Sequence, residues 1–126
     1  MGGGSSANPS ARSSSTGRAI NALQNEFPLG RNGYFGEPGT SKTEKNRQII
    51  SEDPDSSFQR FSKGWTRGAK VDSSVKLTDG TSYLHPDGTR VNVRPTSASG
   101  SPAVDIKSSN PRVKDQKIHF EGAING

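Results

Sequence analysis

The chain has 126 residues, 26% of them hydrophobic, and only 21 are Leu, Ile, Val or Phe, a share below the roughly 20% at which a packed core becomes hard to build. Net charge is only +5 and cysteine is absent, which excludes charge-driven disorder of the whole chain, disulfides, thiolate nucleophiles and cysteine zinc sites. The two histidines, His85 and His119, lie far apart; no metal site and no cofactor is expected, and no apolar run approaches the ~18 residues of a membrane span or forms a signal-peptide core.

Residues 1–18, MGGGSSANPSARSSSTGR, are rich in Gly and Ser and contain no Leu, Ile, Val or Phe. They predict a disordered leader or linker, with residues 19–126 forming one domain. Ile20, Leu23 and Phe27 have helical spacing and predict a short helical segment from Ala19 to Phe27. The stretch 28–47 is crowded with Gly and Pro and reads as irregular, with Tyr34 and Phe35 anchoring it on the core.

Asp53-Pro54-Asp55 sets an N-cap acceptor, a first-turn proline and an acid where the helix dipole favours one. Phe58, Phe61 and Trp65 follow at i, i+3 and i+7, so a helix is predicted over 54–64, with Gly64 as its stop. Phe58 and Phe61 belong to the core on this reading. Trp65, at the frayed end beside Arg67 and Lys70, is a candidate to stack on a substrate base.

From Val75 the period becomes two. Val75 and Leu77 precede Asp79-Gly80, and Tyr83 leads into the turn His85-Pro86-Asp87-Gly88, where His85 reads as an ordinary surface turn residue. Then Val91 and Val93, Val104 and Ile106, and Ile118 and Phe120 alternate with polar residues. The predicted fold class is α+β: an N-terminal helix or helices packed on a twisted antiparallel sheet of about four strands.

Alternation also predicts the opposite face. If the aliphatic set faces the helix, then Arg90, Asn92, Arg94, Asp105, Lys107, Lys117, His119 and Glu121 share the other side, with Ser97, Ser99 and Ser101 in the adjoining loop. Metal-free RNA cleavage requires this kind of inventory: a group to take the 2′-hydroxyl proton, one to protonate the leaving 5′ oxygen, and cations for the phosphorane oxygens. His119 titrates near neutral pH, Arg94 can grip phosphate with two donors, Lys117 is a point charge, and Asp105 orients one of them. Ser97 completes the catalytic candidates, while Ser99, Arg90, Lys107 and Trp65 are the substrate-binding candidates. An ordinary exposed polar sheet face would look similar in sequence.

The block from Asp87 to Phe120, read as DGTRVNVRPTSASGSPAVDI and then QKIHF, resembles the C-terminal toxin domains of bacterial polymorphic toxins of the contact-dependent, Rhs and LXG types. The resemblance covers about 35 residues closely and about 70 loosely. That family is similar in layout to the barnase, EndoU, colicin and RelE group of metal-independent ribonucleases. The resemblance implies a toxin delivered by contact or secretion that cuts RNA, commonly tRNA, in the cytoplasm of a competing cell. It further implies a cognate immunity protein, expected to be acidic because it must cover a basic face, with no membrane partner and a monomeric toxin. Functional residues carried by the motif are Arg94, Ser97, Ser99, Asp105, Lys117 and His119; the sequence would then be an effector domain with a leader and no delivery region. Two alternatives stand beside this: a non-catalytic basic module binding RNA or DNA, which would not need the histidine, and a DNase toxin, which would ordinarily want metal and an acidic cluster.

Overall fold

The computed structural model describes residues 14–39, 43–96 and 100–122. In chain order the elements are helix α1 (Ser15–Leu23), β1 (Glu37–Pro38), β2 (Asn46–Ser51), helix α2 (Pro54–Thr66), β3 (Lys70–Val71), β4 (Thr81–Leu84), β5 (Arg90–Arg94), β6 (Ala103–Lys107) and β7 (Gln116–Gly122). The strands form one sheet in the order β1-β2-β7-β6-β5-β4-β3. Every pairing is antiparallel except β2 with β7, which is parallel.

The expectation of N-terminal helices on an antiparallel sheet of about four strands is therefore corrected: the sheet has seven strands and is mixed. After β2 the chain passes through α2 to β3 at the far edge, and β3 to β7 return as a meander that closes on β2. The missed strand, NRQIIS, hides its pattern because its buried position is an arginine. Arg47 is 5% exposed, donates from Nε to the Phe35 carbonyl at 3.1 Å and from Nη2 to the Gly36 carbonyl at 3.3 Å, and lies 4.7 Å from the centre of the Tyr34 ring. A buried guanidinium satisfied by carbonyls and an aromatic face takes a place normally held by an aliphatic residue. Strands β1 and β3 are two residues long, too short to carry a period.

Both helices are capped as their sequences require. Asp53 Oδ1 accepts from the Ser56 amide at 3.1 Å, with Pro54 leading the helix and Asp55 in its first turn. Ser14 Oγ accepts from the Gly17 amide at 3.0 Å, so α1 begins at Ser15, inside the segment that composition assigns to a leader. Gly64 does not stop α2. A Cβ there would sit 2.5 Å from Leu23 Cδ2, so the glycine lets α1 pack closely on α2; the helix ends instead before Gly68, at φ +83°.

The core lies between the helices and one sheet face. Phe61 is fully buried and meets Phe27 and Phe35 edge-on, at 5.3 and 5.1 Å between ring centres, with Phe120 at 5.4 Å. Ile20, Val91, Val104, Ile106 and Ile118 fill the remainder, and Tyr34 and Phe35 are buried as anchors of the glycine-rich stretch. Val75 and Leu77 lie outside any strand. There Asp72 Oδ1 accepts from the Ser74 amide at 3.1 Å, a local turn that competes with sheet pairing.

Candidate functional site

Strand register arranges the opposite face in rows. Ala103 sits between Arg94 on β5 and His119 on β7, and Gln48 on β2 continues that row. In the adjacent row Asp105 lies between Asn92 and Lys117, followed by Asn46. Rows two residues apart are separated by about 7 Å, and two strand spacings by about 10 Å. Thus Arg94, Asp105, Lys117 and His119 gather on one patch, two from each of two neighbouring rows.

Arg94 Nε donates to Asp105 Oδ2 at 2.6 Å, both groups being partly buried. This contact engages Nε rather than the terminal Nη groups and holds the guanidinium beside Asp105. Glu121, a carboxylate, accepts from Ser101 Oγ at 3.1 Å, and Ser101 Oγ lies 3.2 Å from His119 Nδ1. With the serine proton directed to the carboxylate, its oxygen is placed to accept from Nδ1–H.

Partial burial is the main cause holding the His119 pKa below its ordinary value, and the Lys117 charge adds to it; Glu121 and Asp105 pull upward without offsetting them. The ring is accordingly neutral at about pH 7. As pH falls through about 6.5, the unfolded chain takes up a proton at residue 119 before the folded chain does. Stability contributed at neutral pH is thus lost on the acid side. Between about pH 7 and pH 5 the melting temperature of the parent should fall more steeply than that of His119→Gln; parallel slopes would show that folding leaves the ring's titration unchanged.

Other expected residues fall elsewhere. Arg90 and Lys107 pair with each other one row beyond Asp105, about 14 Å along the strands from the His119 row. Arg90 is also engaged, by Asp72 Oδ2 at 3.0 Å and Ser82 Oγ at 2.9 Å. Ser97 and Ser99 lie outside the described residues. Trp65 is corrected: it has no exposed surface and packs edge-on against Phe35 at 5.9 Å and His85 at 6.2 Å, so no ring face is available to a base. Ser101, Glu121 and Gln48 enter the patch through folding. Period-two reading had Glu121 on this face, whereas Gln48 required the missed β2 strand, and Ser101 sits in a loop that alternation does not orient.

Among the described residues, no group of three or more His, Asp or Glu side chains is placed to hold a metal ion, and no helix is long and apolar enough to cross a membrane. No family model matches the chain, nor does any curated protein or solved structure.

Proposed function

We propose that the chain is a ribonuclease that cleaves RNA by attack of the 2′-hydroxyl on the adjacent phosphorus, without a metal, and that it acts as a toxin held in check by an acidic partner protein. The observation that carries this reading is the Glu121–Ser101–His119 hydrogen-bonded chain, whose imidazole stands on one sheet face with the cations of Arg94 and Lys117. His119 Nε2 takes the 2′ proton as the oxygen attacks phosphorus. Arg94 and Lys117 stabilise the charge gathering on the phosphorane oxygens, Arg94 through its fork and Lys117 as a point charge. The imidazolium then returns the proton to the departing 5′ oxygen, leaving a 2′,3′-cyclic phosphate. Asp105 is a positioning residue that acts through Arg94.

Only RNA supplies the 2′-hydroxyl, so DNA should survive. Purified chain should convert RNA to fragments ending in 2′,3′-cyclic phosphate in excess EDTA, while single-stranded DNA of the same sequence stays intact. RNA binding without cleavage would replace this reading with a binding module. Activity lost in EDTA and restored by a divalent cation would replace it with a metal nuclease.

A further inference from the structure

On the helical side of the molecule a second set of reactive groups lies apart from the His119 patch. His85, expected as a surface turn residue, is 1% exposed. Its Nε2 lies 2.6 Å from the Trp65 carbonyl oxygen at the end of α2, and its Nδ1 lies 2.6 Å from Ser15 Oγ at the start of α1. A carbonyl can only accept, so Nε2 carries the proton. In the neutral ring Nδ1 is then the acceptor, and the Ser15 hydroxyl must donate to it. The Asp87 carboxylate interacts electrostatically with the same ring and is itself held by the Thr16 hydroxyl and the Thr89 amide, each at 3.0 Å.

A buried Ser–His contact of this kind also serves to pin a helix to a hairpin. What distinguishes this one is its opening. Ser15 lines a cavity of about 310 Å³ together with Arg18, Ala19, Ala22, Arg67 and Gly68. Gly68, at φ +83°, presents no side chain over Ser15. Among the described residues no ion pair engages Arg67, and both arginines are exposed. A hydroxyl aimed at an imidazole whose other nitrogen is fixed, at a cavity with cationic and apolar walls, is an arrangement for nucleophilic catalysis.

We infer that Ser15 and His85 form a second reactive centre, which accepts an acyl group from an ester carrying an anionic group that pairs with Arg18 and Arg67. The Ser15 O–H bond breaks as Oγ bonds to the acyl carbon, and the proton passes to His85 Nδ1. The ester's C–O bond then breaks, and the departing alcohol takes that proton. Water, activated by the same nitrogen, hydrolyses the acyl-serine and restores the hydroxyl. The imidazolium formed transiently is stabilised by the Trp65 carbonyl and the Asp87 charge. None of this depends on the RNA-cleaving face, so either centre can fail without the other.

The full chain, treated with a fluorophosphonate and read by intact mass and peptide mapping, should gain one adduct located on Ser15, and Ser15→Ala should gain none. With 4-nitrophenyl esters, the hemisuccinate should react in preference to the acetate, and Arg67→Ala, an exposed change that spares the core, should lower that preference about fivefold. A parent chain left unlabelled at Ser15 in excess probe overturns the inference, as does equal labelling of the Ser15→Ala chain. An Arg67→Ala chain with unchanged preference overturns the assignment of an anionic substrate.

Discussion

Replacing His119 by alanine is expected to lower RNA cleavage by about 10²–10⁴-fold, the usual worth of a positioned proton-transfer group, while the melting temperature at neutral pH stays within a few degrees of the parent. The side chain is half-buried on the open face and belongs to no part of the aromatic core. Arg94 and Lys117 would still bind phosphate in this variant, so the loss should appear in kcat far more than in KM. In the parent, kcat/KM should rise with pH up to a point below about 6.5 and then level, because the base becomes available once Nε2 is unprotonated and its pKa is depressed. Ser101→Ala should shift that point, since it removes the hydroxyl on Nδ1 and separates the ring from Glu121. Cleavage undiminished in His119→Ala would show that the 2′ proton leaves by another path.

Phe61→Ala should have the largest effect on folding. The ring has no exposed surface and touches Phe27, Phe35, Trp65 and Phe120, so it joins the segment that follows α1, the glycine-rich stretch, α2 and β7 in one contact. Its removal leaves a cavity bounded by rigid rings that cannot collapse into it, at a cost of about 3–5 kcal/mol. In a domain this small, with total stability of the order of 5–15 kcal/mol, that cost should lower the melting temperature by more than about 12 °C. Ile50→Ala is the matched comparison: Ile50 is 45% exposed, and its truncation should change stability by less than about 0.5 kcal/mol. A Phe61→Ala chain that melts like Ile50→Ala would mean that the helices do not close on the sheet as described.

Much of the patch was legible from alternation. Once β5, β6 and β7 are strands, residues at period two must share a face, so Arg94, Asp105, Lys117 and His119 are cofacial whichever strands are neighbours. Their proximity is a different matter. It follows from β6 lying between β5 and β7 and from a register that places Ala103 opposite both Arg94 and His119. A shift of β7 by two residues would keep the same face and move Asn92 and Lys107 into the places of Arg94 and Asp105.

Three residues show where a local pattern misleads. Arg47 is buried by carbonyl oxygens contributed by Phe35 and Gly36, partners a linear pattern does not display, and this conceals β2 and the parallel pairing that makes the sheet mixed. His85 follows the same logic. Its setting before a proline and a tight turn is that of a surface residue, yet Ser15 and Trp65 close over it from two helices distant in the chain. Trp65 is a third case: its place at the end of an amphipathic helix suggests a ring free to stack, but Gly64 lets α1 pack close and the indole is enclosed.

By itself, the sequence determined the second helix with its cap, the turn at His85-Pro86-Asp87-Gly88, the three strands from Arg90 onward, and the two-sided character of those strands. Each of these rests on interactions between residues close in the chain or on the geometric period of a strand. The tertiary structure alone decided the number and order of the strands, the burial of Arg47, His85 and Trp65, and the pairing of Ser101 with His119 and of Ser15 with His85. Those outcomes depend on which distant groups satisfy a buried polar atom, and neither composition nor period records that choice.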